Sequence, residues 1–261
     1  MPRRHARLLR IDLRAIKTQE TDGEGEPVSK TFVLLHGAWH GGWCWERVAE
    51  PLRSRGHRVT TPTQTGLGER KHLISADLTL ETFTDDLVNH ILFEGLTDVI
   101  LVGHSFGGNA LTGAAERIPE RLAQLIYLDS TLMQPGERLV DNMSPGKLRE
   151  RVKAFEASPD GISIAPPPAD VFGVLNPADQ AWVEARLTPH PISTMLAPLP
   201  IEGRPGNGLP ARYIACTKPL YHPRDRVRGW AEALGCTAEE IATGHDAMVT
   251  APEALVEMLD R

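Results

Sequence analysis

The chain has 261 residues, 41% of them apolar, enough to bury a full core, and one α/β domain carrying an insertion is ordinary at this size. A formal net charge of −6 argues against a nucleic-acid partner, and no run of about eighteen apolar residues is present to span a membrane. Three cysteines, Cys44, Cys216 and Cys236, are odd in number and lack metal-ligand spacing, so a reducing, cytoplasmic setting without a metal is expected.

The first 29 residues read as an N-terminal extension. Arg3, Arg4, Arg7 and Arg10 precede the acidic stretch Glu20 to Pro27, and no apolar core of a signal peptide lies between them. Leu8 to Ile16 alternates enough for a short strand, with disorder the competing reading. The core is expected to begin at residue 30, where the apolar run Phe32-Val33-Leu34-Leu35 empties into His36-Gly37-Ala38-Trp39-His40-Gly41-Gly42-Trp43. A serine hydrolase takes one of its two oxyanion donors from the loop after an early strand, which makes the Ala38 amide a candidate. His36 reads as a buried histidine bonding the loop backbone.

A second apolar run, Val99 to Val102, stops at Gly103-His104-Ser105-Phe106-Gly107-Gly108. A side chain presented on a sharp strand-to-helix turn needs glycine two positions either side, so Ser105 is the candidate nucleophile and the Phe106 amide the second oxyanion donor. Gly108, Ala110, Leu111, Ala114 and Ile118 then describe a closely packed helix.

The strand Leu125 to Leu128 runs into Asp129, a position suited to a buried acceptor for a histidine. Residues 131–208 form a proline-interrupted insertion with helix-like pieces at Pro145 to Ala157 and Pro177 to Leu187, read as a cap over the nucleophile. From the loop and the cap, Trp39, His40, Met133, Phe172 and Trp182 are candidate substrate-binding residues, against the alternative that they are simply core. The core resumes over 209–261 with the strand Ala211 to Cys216. His245 follows the apolar end of Cys236 to Ala242 and precedes a helix at Pro252 to Leu259, with Thr250 and Glu253 as its capping box. A histidine on that loop can swing over the serine as general base.

These motifs resemble the α/β-hydrolase superfamily, specifically its branch of plant methylesterases, hydroxynitrile lyases and bacterial pyrethroid-hydrolase-type esterases. The resemblance runs from about Lys30 to Arg261 and is densest at His36 to Trp45, at Gly66-Leu67-Gly68-Glu69-Arg70 and around Ser105. It implies a mostly parallel, eight-stranded sheet flanked by helices, with the cap after the sixth strand, a Ser-His-acid triad, and neither metal nor organic cofactor. Relatives usually carry the acid just past the seventh strand, where this chain has no carboxylate until Asp225. Other α/β-hydrolases place it after the sixth strand, which favours Asp129. Hydroxynitrile lyases of this type usually carry threonine in the oxyanion loop and lysine directly after the catalytic histidine, whereas this chain has Gly37 and Asp246.

The expected activity is therefore hydrolysis of an uncharged carboxylic ester with an aromatic or branched apolar part, since the cap candidates are apolar and no arginine clamp is evident. Carbamate or lactone hydrolysis, lyase chemistry, and a ligand-binding protein with a vestigial triad are the alternatives. The expected partner is a small-molecule ester, with a homodimer left open.

Overall fold

The computed structural model describes residues 29–261; the extension up to residue 28, with the strand expected at Leu8–Ile16, lies outside the described residues. Eight strands follow in chain order: β1 (Thr31–Leu35), β2 (Arg58–Thr60), β3 (Val99–His104), β4 (Leu122–Leu128), β5 (Ser163–Ile164), β6 (His190–Pro191), β7 (Ala211–Cys216) and β8 (Ala238–Ile241). Six of them form one sheet in the order β2-β1-β3-β4-β7-β8, with every neighbouring pair parallel. The expected eight-stranded sheet is thus six-stranded among the described residues. The strand ending at Leu128, counted as the sixth by the resemblance, is the fourth among the described residues. β5 and β6 pair only with each other, antiparallel.

The strands read as nearly continuous apolar runs because helices cover both faces of a parallel sheet. Phe32, Val33, Leu34, Leu101, Val102, Leu125 and Ile126 are fully buried. The core helices are α1 (Glu46–Ser54), α2 (Leu80–Phe93) and α3 (Gly107–Arg117), then α7 (Arg224–Ala233), α8 (Ala247–Thr250) and α9 (Pro252–Leu259); between β4 and β7 come α4 (Pro145–Glu156), α5 (Pro177–Glu184) and the short α6 (Ile192–Leu196). The expected capping box at α9 is absent: its N-cap is Ala251, and the Thr250 hydroxyl instead pairs with Thr243 Oγ1 at 2.7 Å and donates to the Asp246 carbonyl at 3.0 Å.

Strand order positions the site. From β1 the chain moves to β2 on one side and then to β3 on the other, so the connections diverge between β1 and β3. At their carboxyl ends such a switch point leaves a crevice. Leu35 of β1 is in register with Gly103 of β3, so the His36–Gly42 loop and the Ser105 turn leave the sheet side by side.

Candidate active site

Ser105 sits between β3 and α3 with φ +51°, a left-handed conformation that a non-glycine residue adopts only under constraint. Its N–H donates to Leu128 O at 3.0 Å, and its carbonyl accepts from Ser130 Oγ at 2.7 Å. A Cβ at Gly107 would lie 2.4 Å from His36 O, so the turn and the neighbouring loop close on each other only because that residue has no side chain.

Over this turn hang the two other expected residues. His245 Nε2 is 2.9 Å from Ser105 Oγ, and His245 Nδ1 is 2.6 Å from Asp129 Oδ2. Asp129 ends β4, anchored by its own N–H to Ile214 O at 2.7 Å, and its Oδ1 accepts the Cys216 N–H at 3.1 Å. Burial dominates both titrations: it disfavours the imidazolium at His245, leaving a neutral base, and it raises the Asp129 carboxyl to about 6 against the pull of His222 and the Cys216 amide. Asp225, the competing acid, is exposed in the first turn of α7.

The His245 ring is held from several sides. Tyr221 stacks on it with centroids 3.7 Å apart, and the buried His104 donates from Nε2 to the His245 carbonyl at 3.0 Å. His222, which nothing in its sequence setting marked, donates from Nε2 to Asp129 O at 3.0 Å. Asp129, His222 and His245 could together face a metal ion, but both ring nitrogens of His245 already have partners in Asp129 and Ser105.

Ala38 and Phe106 carry the two amides expected at an oxyanion. Among the described residues neither N–H is donated to another protein acceptor, and both residues line the cavity beside Ser105. Their loop is braced by two histidines. His36, lowered to about 3 by burial and so neutral, donates from Nδ1 to Gly37 O at 2.8 Å and accepts the Gln64 N–H at 3.1 Å. His40 donates from Nδ1 to Ala38 O at 2.8 Å and faces Asp246 Oδ2 through Nε2 at 3.0 Å. Burial opposes a charge on His40, but the Asp246 carboxylate outweighs it, raising His40 while His40 lowers Asp246. The Ala38 carbonyl can only accept, which puts a proton on Nδ1, and the Asp246 carboxylate accepts a second from Nε2, so the pair is an imidazolium and a carboxylate. This buried ion pair joins the oxyanion loop to the residue after His245.

The cavity has a volume of about 320 Å³ and is walled by Trp39, Met143, Met195, Tyr221 and Trp230, with cationic side chains discussed below. Of the five candidate substrate-binding residues, only Trp39 lines it. His40 is committed to Asp246, and Phe172 is buried behind the site against His40 and Trp39. Met133 is buried as core, and Trp182 packs edge-on against Trp43 beneath Arg47 and Arg186. Apolar character marked these side chains, but it does not say which face of the insertion meets the cavity.

Comparison with known proteins agrees with this geometry. The profile of the alpha/beta hydrolase family matches residues 32–258. A carbendazim hydrolyzing esterase of Nocardioides sp. is 39% identical over 252 residues, covering 87% of this chain and 97% of its own length. Methylesterase 18 of Arabidopsis thaliana is 30% identical over 218 residues, covering 74% and 81%. Among solved structures, an extracellular alpha/beta-hydrolase from a Paenibacillus species superposes with a TM-score of 0.79 at 25% identity, covering 88% of this chain and 97% of that one. A crevice at the β1/β3 switch point, a serine on a strained turn and a relative matched along nearly its whole length have one common account: the chain belongs to the alpha/beta hydrolase family, among its esterases and methylesterases.

Proposed function

We propose that this protein is a carboxylesterase-type serine hydrolase acting through an acyl-enzyme on Ser105. The observation that carries the reading is the unbroken line Asp129–His245–Ser105 beside two uncommitted amides at a cavity wall. Ser105 Oγ attacks the ester carbonyl carbon while its proton passes to His245 Nε2, and Asp129 holds Nδ1–H in the tautomer that leaves Nε2 free to accept. The carbonyl oxygen becomes an oxyanion held by the Ala38 and Phe106 N–H groups. Collapse expels the alcohol, which takes the proton from Nε2. Water, deprotonated by the same nitrogen, then releases the acid.

Two alternatives lose their support. A vestigial triad was suggested by the missing acid after the strand Ala211–Cys216, and Asp129 occupies that role from the end of β4. The lyase pattern of threonine in the oxyanion loop and lysine after the histidine has no room here: position 246 holds a buried carboxylate paired with His40, and a Cβ at Gly37 would lie 2.9 Å from Ser105 Cβ. The reading includes a reducing, cytoplasmic setting, supported by three cysteines that all remain free thiols. Among the described residues no helix is long and apolar enough to cross a membrane.

The test is a fluorophosphonate probe with p-nitrophenyl butyrate as substrate. Wild type should be labelled and should hydrolyse the ester, Ser105→Ala should do neither, and mandelonitrile should release no cyanide above the uncatalysed rate. An unlabelled, inactive wild type, or enantioselective cyanide release, overturns the assignment.

A further inference from the structure

The cavity that meets the oxyanion amides is cationic, which neither the esterase chemistry nor the triad requires. Lys147 and Arg151, one turn apart on α4, and Arg226 of α7 all line it, and among the described residues no aspartate or glutamate does. Among the described residues none of the three forms a salt bridge: Arg226 donates to the Asn142 carbonyl, and Lys147 and Arg151 rest on aromatic rings.

Those rings belong to the site. Arg151 Cζ lies 4.5 Å from the Trp39 ring centroid, and Trp39 follows the oxyanion residue Ala38. Lys147 Nζ lies 4.7 Å from the Tyr221 centroid, and His245 stacks on Tyr221 at 3.7 Å. Parallel stacking fills one ring face, so Lys147 takes the other, with the Tyr221 ring between it and the catalytic imidazole. Burial, then repulsion from Arg151 and Arg226, lowers the Lys147 pKa, with only Glu150 and the more remote Asp129 acting the other way. Glu150 itself is exposed and does not reach the cavity. Lys147 and Arg226 are solvent-exposed where they line the cavity and Arg151 is half-buried, so water screens the three charges, but together they set a positive potential over the opening that a carboxylate entering it would meet with charge-assisted hydrogen bonds.

Resting on the esterase reading, we infer that the ester this protein cleaves carries a carboxylate remote from its scissile bond, bound between Lys147 and Arg151 with Arg226 adding charge. The expectation of an uncharged substrate rests on apolar cap candidates and on no arginine clamp being evident in the sequence; in the fold α4 brings Lys147 and Arg151 to the cavity wall.

The test compares matched esters differing only in charge. On the acyl side, mono-p-nitrophenyl suberate is set against the p-nitrophenyl ester of suberic acid monoamide. On the alcohol side, p-carboxyphenyl butyrate is set against p-carbamoylphenyl butyrate. In at least one pair kcat/KM should favour the anion by about 10- to 100-fold, the value of a charge-assisted bond, and more of the gain should sit in KM than in kcat. Raising salt from about 0.05 to 0.5 M should shrink the ratio several-fold. In Lys147→Met/Arg151→Met the ratio should fall to about 1, and because both esters are measured on one sample, partial misfolding cancels. No anionic preference in either pair, or a preference that survives the double substitution, overturns the inference. Failure to cleave any of the four esters would instead count against the esterase reading.

Discussion

Replacing Asp129 by asparagine changes one atom, and the surroundings decide which way the amide must face. Asp129 Oδ1 accepts the Cys216 N–H at 3.1 Å and Oδ2 faces His245 Nδ1 at 2.6 Å. In Asp129→Asn the side-chain carbonyl must stay on the Cys216 N–H, since turning the NH2 group there sets two buried donors against each other at about 1–3 kcal/mol. The NH2 group therefore meets His245 Nδ1 and forces that nitrogen to accept. The ring proton moves to Nε2, which then cannot take the proton of Ser105. Loss of tautomer and of counter-charge together cost up to about 10⁴-fold in kcat for the analogous change in serine proteases, roughly 5.4 kcal/mol, and the same order is expected here. Asp225→Asn, an exposed change in α7, should stay within about twofold. The assay is kcat on p-nitrophenyl butyrate for both variants, with thermal melts to show that they fold. A folded Asp129→Asn enzyme within about tenfold of wild type would refute the reasoning.

Three further outcomes follow from the same geometry. Because Asp129 titrates near 6, kcat/KM should be flat above that pH and fall by about tenfold per unit below it as the carboxylate takes a proton; a profile flat to pH 4 contradicts the acid's role. Ser105→Ala and His245→Ala should each lower kcat by about 10³-fold or more, and the double variant should lose little beyond either, whereas additive losses would mean that they do not act as one unit. Asp246→Asn strands the buried His40 without its counter-ion, so a loss of about 3 kcal/mol or more is expected, seen as a melting point lower by roughly 6–12 °C; a shift under about 2 °C would show that the ion pair is dispensable.

What could be read from the chain was what depends on neighbours in sequence. Crowding at the Ser105 turn is a matter of residues two positions away, and Gly107 announces it. Asp129 was legible as a carboxylate ending an apolar strand. His36 was legible as a loop-bonding histidine because its acceptor is the next residue. His40 was not: its partner is 206 residues distant, and a histidine in a glycine-rich loop gives no sign of which carboxylate will meet it. The α4 cations escaped for a different reason. Lys147 and Arg151 stand in a helix with no fully buried residue, so apolar periodicity does not tell which side faces the cavity. Phe172 and Met133 failed the opposite way, being apolar enough for a pocket wall and buried instead as core.

The His40–Asp246 pair also constrains how this scaffold can change. Position 246 directly follows the catalytic histidine, where an alternative chemistry on this branch carries lysine, so it invites a one-residue graft. An ammonium there would face the imidazolium of His40 inside a dry core, and threonine at 37 would press its Cβ on Ser105. Each step alone passes through a protein with a stranded charge or a displaced nucleophile. Position 246 is therefore not a one-residue graft: it can change only together with residue 40, and the contact of position 37 with Ser105 has to be relieved separately.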